Sequence, residues 1–122
     1  MPTIVDSPAV VEAAGNKPKR IEEFIGRVCT GHQNVSVARM QSPAGWVEPP
    51  QTPEFEEYTI VLRGSLCVES NGETLHIGPG QAVIARPGET VRYSTPGPEG
   101  AEYIAVCVPA FSPGSVHRSD DD

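Results

Sequence analysis

The chain has 122 residues, of which 16 are Asp or Glu and 9 are Lys or Arg, so its formal net charge is −7. A charge of this sign repels phosphate backbones and anionic lipid surfaces, and it disfavours nucleic-acid and membrane partners. The length fits one domain. Thirteen prolines and twelve glycines disfavour a helical bundle and favour an all-β domain with many tight turns.

The start of the chain lacks the basic and apolar regions of a signal peptide, and no apolar run reaches the length of a membrane span. We therefore expect a cytoplasmic protein. The three cysteines show no Cys-x-x-Cys spacing, which disfavours a disulfide framework and a zinc knuckle. Cys67 and Cys107 lie in apolar runs, where we expect them to be small buried side chains.

The first half of the chain predicts an arm followed by strands. Residues 1–19 have the composition of an arm or of an edge strand supplied to a partner. Segment 21–28 fits either one helical turn or a strand. Residues 34–40 alternate between apolar and polar side chains and predict a strand, after which Gly45 closes a turn.

The second half predicts a series of short strands. Asn71-Gly72 is a strong hairpin signal, and further turns contain Gly80 and Gly88. The predicted strands are 58–62, 66–69, 74–77, 82–85, 90–94 and 102–108. Short strands at regular spacing predict a closed double-sheet β-barrel. We therefore divide the chain into an arm (1–19), a barrel (20–118) and an acidic tail (119–122).

Two glycines frame a polar segment at the centre of the chain. It runs Gly45, five residues, Gln51-Thr52-Pro53, three residues, Glu57, six residues, Gly64. This spacing resembles the first motif of the cupin superfamily, which has histidines at the positions of Gln51 and Pro53 and a glutamate at that of Glu57. The resemblance implies an all-β fold, the cupin double-stranded β-helix or jelly-roll β-barrel.

The segment from Gly80 to Val91 resembles the second cupin motif, Gly-Asp-x-x-x-x-Pro-x-Gly-x-x-His. Gln81 stands in place of the aspartate, Arg86 in place of the proline, and Val91 in place of the third histidine. All three histidine positions of the family are therefore occupied by other residues. The turn glycines are kept, so the resemblance implies the fold and not the usual metal centre.

The remaining metal donors are few. Gln51 offers an amide oxygen, and Pro53 offers no side-chain donor. A divalent metal could use an atypical set made of Gln51, Glu57 and His117, but the sequence does not predict one, and it indicates no cofactor with certainty.

Glu57 is the first candidate site residue. Side chains alternate along a strand, so Glu57 would point into the barrel on the same face as Thr59. A buried carboxyl group must find a cation, a hydrogen-bond donor or a ligand. The alternative is an exposed position in the acidic stretch with Glu54 and Glu56.

Arginines and a tyrosine flank the second motif. Arg86 and Arg92 could bind a carboxylate or phosphate, or they could neutralise Glu57 and Glu89. Tyr93 would line the pocket beside Thr59.

His117 lies in a proline-rich tail after the last strand. The tail resembles that of ectoine synthase, a small cupin enzyme, and the resemblance implies that His117 closes the barrel near the site. The alternative is an exposed residue beside the acidic positions 120–122. Phe55-x-Glu57, Val61-Leu62-x-Gly64 and Gly80 also resemble a cupin encoded with ethanolamine-utilisation enzymes. That family likewise lacks the histidines, and the shared residues are mostly ones that form the fold.

We predict a single-domain cupin that binds a small polar or anionic metabolite, forming a homodimer through edge strands and the arm. The predicted ligand-binding residues are Gln51, Glu57, Thr59, Arg86, Arg92, Tyr93 and His117. The alternative is a lyase, isomerase or cyclase in which Glu57 is the general base or a ligand of an atypical metal, and His117 is the second catalytic residue.

Overall fold

The computed structural model describes residues 1–119 and contains two facing antiparallel sheets. The larger sheet has the order β1-β2-β3-β10-β5-β8, and the smaller has the order β4-β9-β6-β7. The strands are β1 (Ala9–Val11), β2 (Arg20–Ile25), β3 (Ser36–Ser42), β4 (Trp46–Val47), β5 (Glu56–Gly64), β6 (Leu66–Ser70), β7 (Glu73–Ile77), β8 (Ala82–Ala85), β9 (Arg92–Thr95) and β10 (Ala101–Val108). This is the predicted jelly-roll barrel.

The one helix among residues 1–119 is a single turn, α1 (Pro113–Val116), in the tail after β10. No helix among the described residues is long and apolar enough to cross a membrane. Positions 120–122, most of the predicted acidic tail, lie outside the described residues.

The interior follows from the alternation of side chains along the strands. In β10, Ala101, Tyr103, Ala105 and Cys107 are buried, and the residues between them are more exposed. One apolar cluster joins the facing sheets through Trp46, Val61, Leu66, Val68, Ile77, Ala85, Val91, Tyr93, Ala101 and Tyr103. A smaller cluster packs Phe55, Cys107 and Val116 beneath the tail.

The N-terminal segment belongs to the larger sheet. β1 pairs with β2, and β2 pairs with β3, so both are added at one edge. Segment 21–28, which fitted a helical turn or a strand, forms β2 over most of its length. The structure therefore uses the arm within its own barrel, whereas the sequence also allowed an edge strand given to a partner. The boundaries predicted at residues 19 and 118 stay predictions.

Candidate functional site

A cavity opens inside the barrel between the larger sheet, the arm and the tail. Its volume is about 60 Å³, and one buried water needs about 10–15 Å³, so the cavity has room for a few waters or one small molecule. Its wall is lined by Val11, Lys19, Ile21, Glu23, Ser36, Ala38, Met40, Glu48, Gln51, Phe55, Glu57, Thr59, Tyr93, Tyr103, Ala105, Cys107, Phe111 and Arg118. It is apolar on most of its wall and carries charged groups from several elements.

Two carboxyl groups share this cavity. Glu57 belongs to β5, where Glu57, Thr59 and Val61 are buried and the residues between them are more exposed. Glu48 follows β4 and continues the inward direction of Trp46 two residues earlier. Its side chain is buried, with 4% of its surface exposed, and its Oε2 has no hydrogen-bond partner among residues 1–119.

Burial sets the protonation behaviour of both carboxyl groups. Desolvation raises the pKa of Glu48 to about 7, and the charge of Glu57 adds to this rise. Desolvation also raises the pKa of Glu57, against the lowering effects of Lys19, of the hydrogen bond from Tyr93 and of Arg118. The Tyr93 hydroxyl donates to Glu57 Oε1 at 3.2 Å. The cavity therefore holds a carboxyl group that changes charge near neutral pH.

Two cations reach the cavity from opposite ends of the chain. Lys19 lies in the arm just before β2, and its ammonium group stands 4.0 Å from the centroid of the Trp46 ring. Arg118 comes from the tail, where its guanidinium lies 6.0 Å from the centroid of the Phe111 ring and its buried Nε has no hydrogen-bond partner within residues 1–119. Both positive charges lower the pKa of each carboxyl group.

A third carboxyl group in the cavity wall, that of Glu23, is held by hydrogen bonds from the backbone. Glu23 is buried, and its Oε2 accepts hydrogen bonds from the backbone N–H groups of Val28 at 2.9 Å and Cys29 at 2.8 Å. Its oxygen is thereby engaged by the loop after β2. Glu23 consequently holds that loop, whereas neither Glu48 nor Glu57 accepts a hydrogen bond from this loop.

The tail returns along the first motif and fixes Gln51. Gln51 forms one antiparallel bridge with Val91 and another with Arg118. The backbone N–H of Thr52 donates to the carbonyl oxygen of His117 at 3.1 Å, which holds the tail against the motif. Arg118 then lines the cavity, while its neighbour His117 is exposed and pairs with Glu54 at the surface.

The structure brings some of the predicted ligand-binding residues together and leaves others outside. Gln51, Glu57, Thr59 and Tyr93 all line the cavity. Arg86, Arg92 and His117 do not line it.

The local backbone explains why Arg86 and Arg92 lie outside the cavity. Arg86 is exposed in the turn after β8, and Arg92 adjoins Glu69 on the other face of the smaller sheet from Tyr93. Successive residues of a strand alternate, so the inward position of Tyr93 turns Arg92 away.

A family model for the cupin domain matches residues 38–107, more than half of the chain. The chain belongs to the cupin family. This confirms the family inferred from the two glycine-framed motifs, and the matched segment contains Glu48, Gln51, Glu57 and Tyr93. Lys19 and Arg118 lie outside it.

One curated relative and several solved structures resemble this cupin. It is 43% identical over 99 residues to endoribonuclease YbeY of Myxococcus xanthus, covering 81% of this chain and 34% of that protein. The chain thus spans about a third of the length of its relative.

Among solved structures, the polyketide cyclase RemF from Streptomyces resistomycificus has a TM-score of 0.73 at 22% identity, covering 99% of this cupin and 88% of that chain. A protein predicted to be an oxalate decarboxylase, from Thermotoga maritima, has a TM-score of 0.72 at 19% identity, covering 88% and 99%. A protein assigned to ethanolamine utilization, protein Q of Salmonella typhimurium, has a TM-score of 0.66 at 18% identity, covering 85% and 97%. At these identities the likeness concerns the fold.

The donor set of this cupin does not fit the metal centre of the family's motifs. Within residues 1–119 no group of three or more His, Cys, Asp or Glu side chains is placed to hold a metal ion. Gln51 and Glu57 do line one cavity, but His117 faces away from it. A catalytic metal normally takes three side-chain donors from its protein, and the cavity brings together only two of the three predicted donors, Gln51 and Glu57.

Sequence reasoning missed Glu48, Lys19 and Arg118. Glu48 had a usable sequence signal, because Trp46 and Glu48 are two residues apart and a short strand directs both inward. The signal for Arg118 was weaker: in an extended tail, an outward His117 implies that its neighbour points inward. Lys19 had none, because the path of the arm depends on contacts with residues far along the chain.

Proposed function

We propose that this cupin binds a small molecule inside the barrel through the carboxyl groups of Glu48 and Glu57. The observation that carries the proposal is the buried Glu48 Oε2, which no group of residues 1–119 satisfies. An unsatisfied buried acceptor costs about 1–3 kcal/mol. A ligand that donates a hydrogen bond would offset this cost.

The lining indicates the kind of ligand. Met40, Phe55, Phe111 and Ile21 give the cavity an apolar wall, and the carboxyl groups add acceptors at one side. Buried carboxylates repel a purely anionic ligand unless the cations of the cavity contact it. We therefore narrow the sequence-based expectation of a polar or anionic metabolite to a small, largely apolar molecule that carries a hydroxyl or amino donor, or an anionic oxygen that contacts a cation of the cavity.

A thermal-shift screen of metabolites tests this function. Compounds that stabilise the wild-type protein should lose their effect in Glu57→Gln and weaken in Glu48→Gln. Glu54→Gln is the matched control, because Glu54 is exposed and pairs with His117 outside the cavity. Compounds that stabilise both cavity variants as strongly as the wild type would contradict the proposed site.

Acid–base catalysis by a lyase, isomerase or cyclase is the second candidate function. It is favoured by Glu48, whose pKa of about 7 allows the group to give or take a proton near neutral pH, and by the adjacent Glu57 and Tyr93. The test is solvent deuterium exchange into the compounds found by the screen, followed by NMR. Wild-type protein should catalyse exchange at an acidic C–H position and Glu57→Gln should not; absence of exchange in the wild type argues for binding alone.

Charge and exposed apolar side chains bear on two other partners, nucleic acid and a second copy of this chain. A net charge of −7 and carboxyl groups in the cavity disfavour RNA as a substrate. The outer face of the larger sheet exposes about half of the side chains of Ile60, Leu62 and Ile84. This apolar surface supports a homodimer that forms through the sheet face, and not through the edge strands and the arm as the sequence predicts. Light scattering of the wild type and of Ile60→Glu checks this: the wild type should be a dimer and the variant a monomer.

A further inference from the structure

The path of the arm is fixed by hydrogen bonds to β4. The Trp46 Nε1–H donates to the carbonyl oxygen of Ala14 at 2.9 Å. The backbone N–H of Asn16 donates to the Val47 carbonyl oxygen at 3.1 Å, and the Val47 N–H donates to Asn16 Oδ1 at 2.8 Å. These bonds end three residues before Lys19. The arm therefore delivers Lys19 to a defined place in the cavity wall.

The ammonium group of Lys19 rests on two aromatic rings. Its Nζ lies 4.0 Å from the ring centroid of Trp46 and 5.2 Å from that of Tyr103. Both rings are buried, so they provide a fixed surface for the cation. An ammonium group carries three N–H donors, and the faces of the two rings offer these donors no oxygen atom to bind.

Those donors are not engaged by an acidic side chain. Of the ion pairs formed within residues 1–119, none includes Lys19, and no side-chain hydrogen bond there includes it either. The ammonium is nevertheless close enough to Glu48 and Glu57 for its charge to act on both. The cavity thus presents donors on Lys19 beside acceptors on the two carboxyl groups.

A hydroxyl group matches this arrangement, because its oxygen can accept from an ammonium while its hydrogen is donated to a carboxylate. We propose that Lys19 is a ligand-binding residue that selects molecules with a hydroxyl or anionic oxygen on an apolar body, such as phenols, enols and aromatic acids. This inference rests on the proposed function, since it narrows the ligand of the same cavity. It assigns a recognition role to the arm, which lies outside the segment that matches the family.

The test measures the binding of four probes of similar size to the full chain at pH 7.5, by NMR titration. The probes are phenol, benzoate, benzylamine and toluene. Lys19→Met keeps the length and apolar stem of the side chain and removes the charge, and Lys19→Arg keeps the charge. Lys17→Met, on the exposed part of the same arm, is the matched control.

Wild-type protein should bind phenol and benzoate more tightly than toluene. Lys19→Met should weaken phenol and benzoate by about tenfold or more, because a hydrogen bond to a charged group is lost. Toluene should bind this variant as it binds the wild type, which also shows that the cavity is intact. Lys19→Arg should keep part of the preference for phenol and benzoate over toluene, and Lys17→Met should keep all of this preference.

Two results separate this inference from the function on which it rests. If probes bind and respond to Glu57→Gln, while Lys19→Met leaves phenol and benzoate unchanged or weakens all four probes alike, the role of Lys19 is overturned and the binding site stands. If no probe perturbs the cavity residues of the wild type at millimolar concentration, the binding function fails, and the role of Lys19 fails with it.

Discussion

The barrel segment that matches the family and the two chain ends supply opposite charges to the cavity. Residues 38–107 provide Glu48 and Glu57, whereas the cations Lys19 and Arg118 come from the arm and the tail. The barrel strands fix their inward side chains through sheet pairing. The ends are held by the pairing of β1 with β2, by the bridge between Gln51 and Arg118, and by single hydrogen bonds such as that from Trp46 to Ala14. The matched segment therefore carries Glu48 and Glu57, and the two chain ends determine how much positive charge lies near these two carboxyl groups.

Trp46→Ala should give the largest effect, because this side chain links the two regions. It has 1% of its surface exposed, packs in the main apolar cluster and donates to Ala14. Loss of a buried Trp side chain costs about 3–5 kcal/mol, so the free energy of unfolding in urea should fall by that amount.

Trp46→Phe keeps an aromatic ring and loses the hydrogen bond to the arm. Its destabilisation should be clearly smaller than that of Trp46→Ala, and the arm should exchange its amide hydrogens faster. Equal loss of stability in the two variants would show that the arm contact, and not the packing of the ring, carries the effect.

Between pH 5 and 8, the unfolding free energy of the wild type should fall by about 2 kcal/mol relative to that of Glu48→Gln. The folded pKa is about 7, above the ordinary 4.5, so the folded protein binds more protons than the unfolded chain in this range. This contribution to stability is complete below pH 4.5 and is lost as pH rises through 7.

The variant has no titrating group at position 48. The difference between its unfolding free energy and that of the wild type should therefore increase in favour of the variant as pH rises. Urea unfolding at several pH values measures the difference. Glu73→Gln, at an exposed position on β7, is the matched control. Parallel curves for Glu48→Gln and wild type would contradict the burial of this carboxyl group in the barrel.

Gly15→Ala should loosen the arm while the barrel stays folded. Gly15 has φ +121°, and an added Cβ would stand 2.2 Å from Trp46 Nε1. A side chain at such a φ is strained, and the close approach displaces the Ala14 and Asn16 contacts. Hydrogen exchange of the Asn16 amide should rise at least tenfold.

Gly31→Ala is the matched control, because Gly31 also has a positive φ, +82°, but its added Cβ would contact nothing within 4 Å. It should lose stability from backbone strain alone and leave the exchange of the arm unchanged. Similar exchange in the two variants would mean that the arm does not depend on close packing against Trp46.

His117→Gln should give the smallest effect. The pair formed by His117 and Glu54 has half of the histidine side chain and most of the glutamate side chain exposed, and exposed pairs contribute about 0–1 kcal/mol. Ligand binding in the cavity should not change. A loss of binding equal to that of Glu57→Gln would show that the tail moves His117 into the cavity when a ligand is present.

The sequence predicts which strand residues point inward better than it predicts where the residues of turns lie. Strand alternation is a local rule and the glycine spacing marks where the strands begin, so the inward directions of Glu57, Thr59 and Tyr93 follow from the sequence. Arg86 and Arg92 were placed near the ligand because they flank the second motif in the sequence. The pleat of β9 and the exposed turn after β8 direct them elsewhere.

The sequence by itself determined the cupin barrel, the loss of the motif histidines and the inward carboxyl group of Glu57. Turn glycines and side-chain alternation depend on the backbone over a few residues, so they can be read in chain order. Only the tertiary structure decided that Glu48 shares a cavity with Glu57, that Arg118 rather than His117 lines this cavity, and that the arm places Lys19 on Trp46 and Tyr103. These contacts join residues that are distant in the chain, and their formation depends on packing that no local pattern encodes.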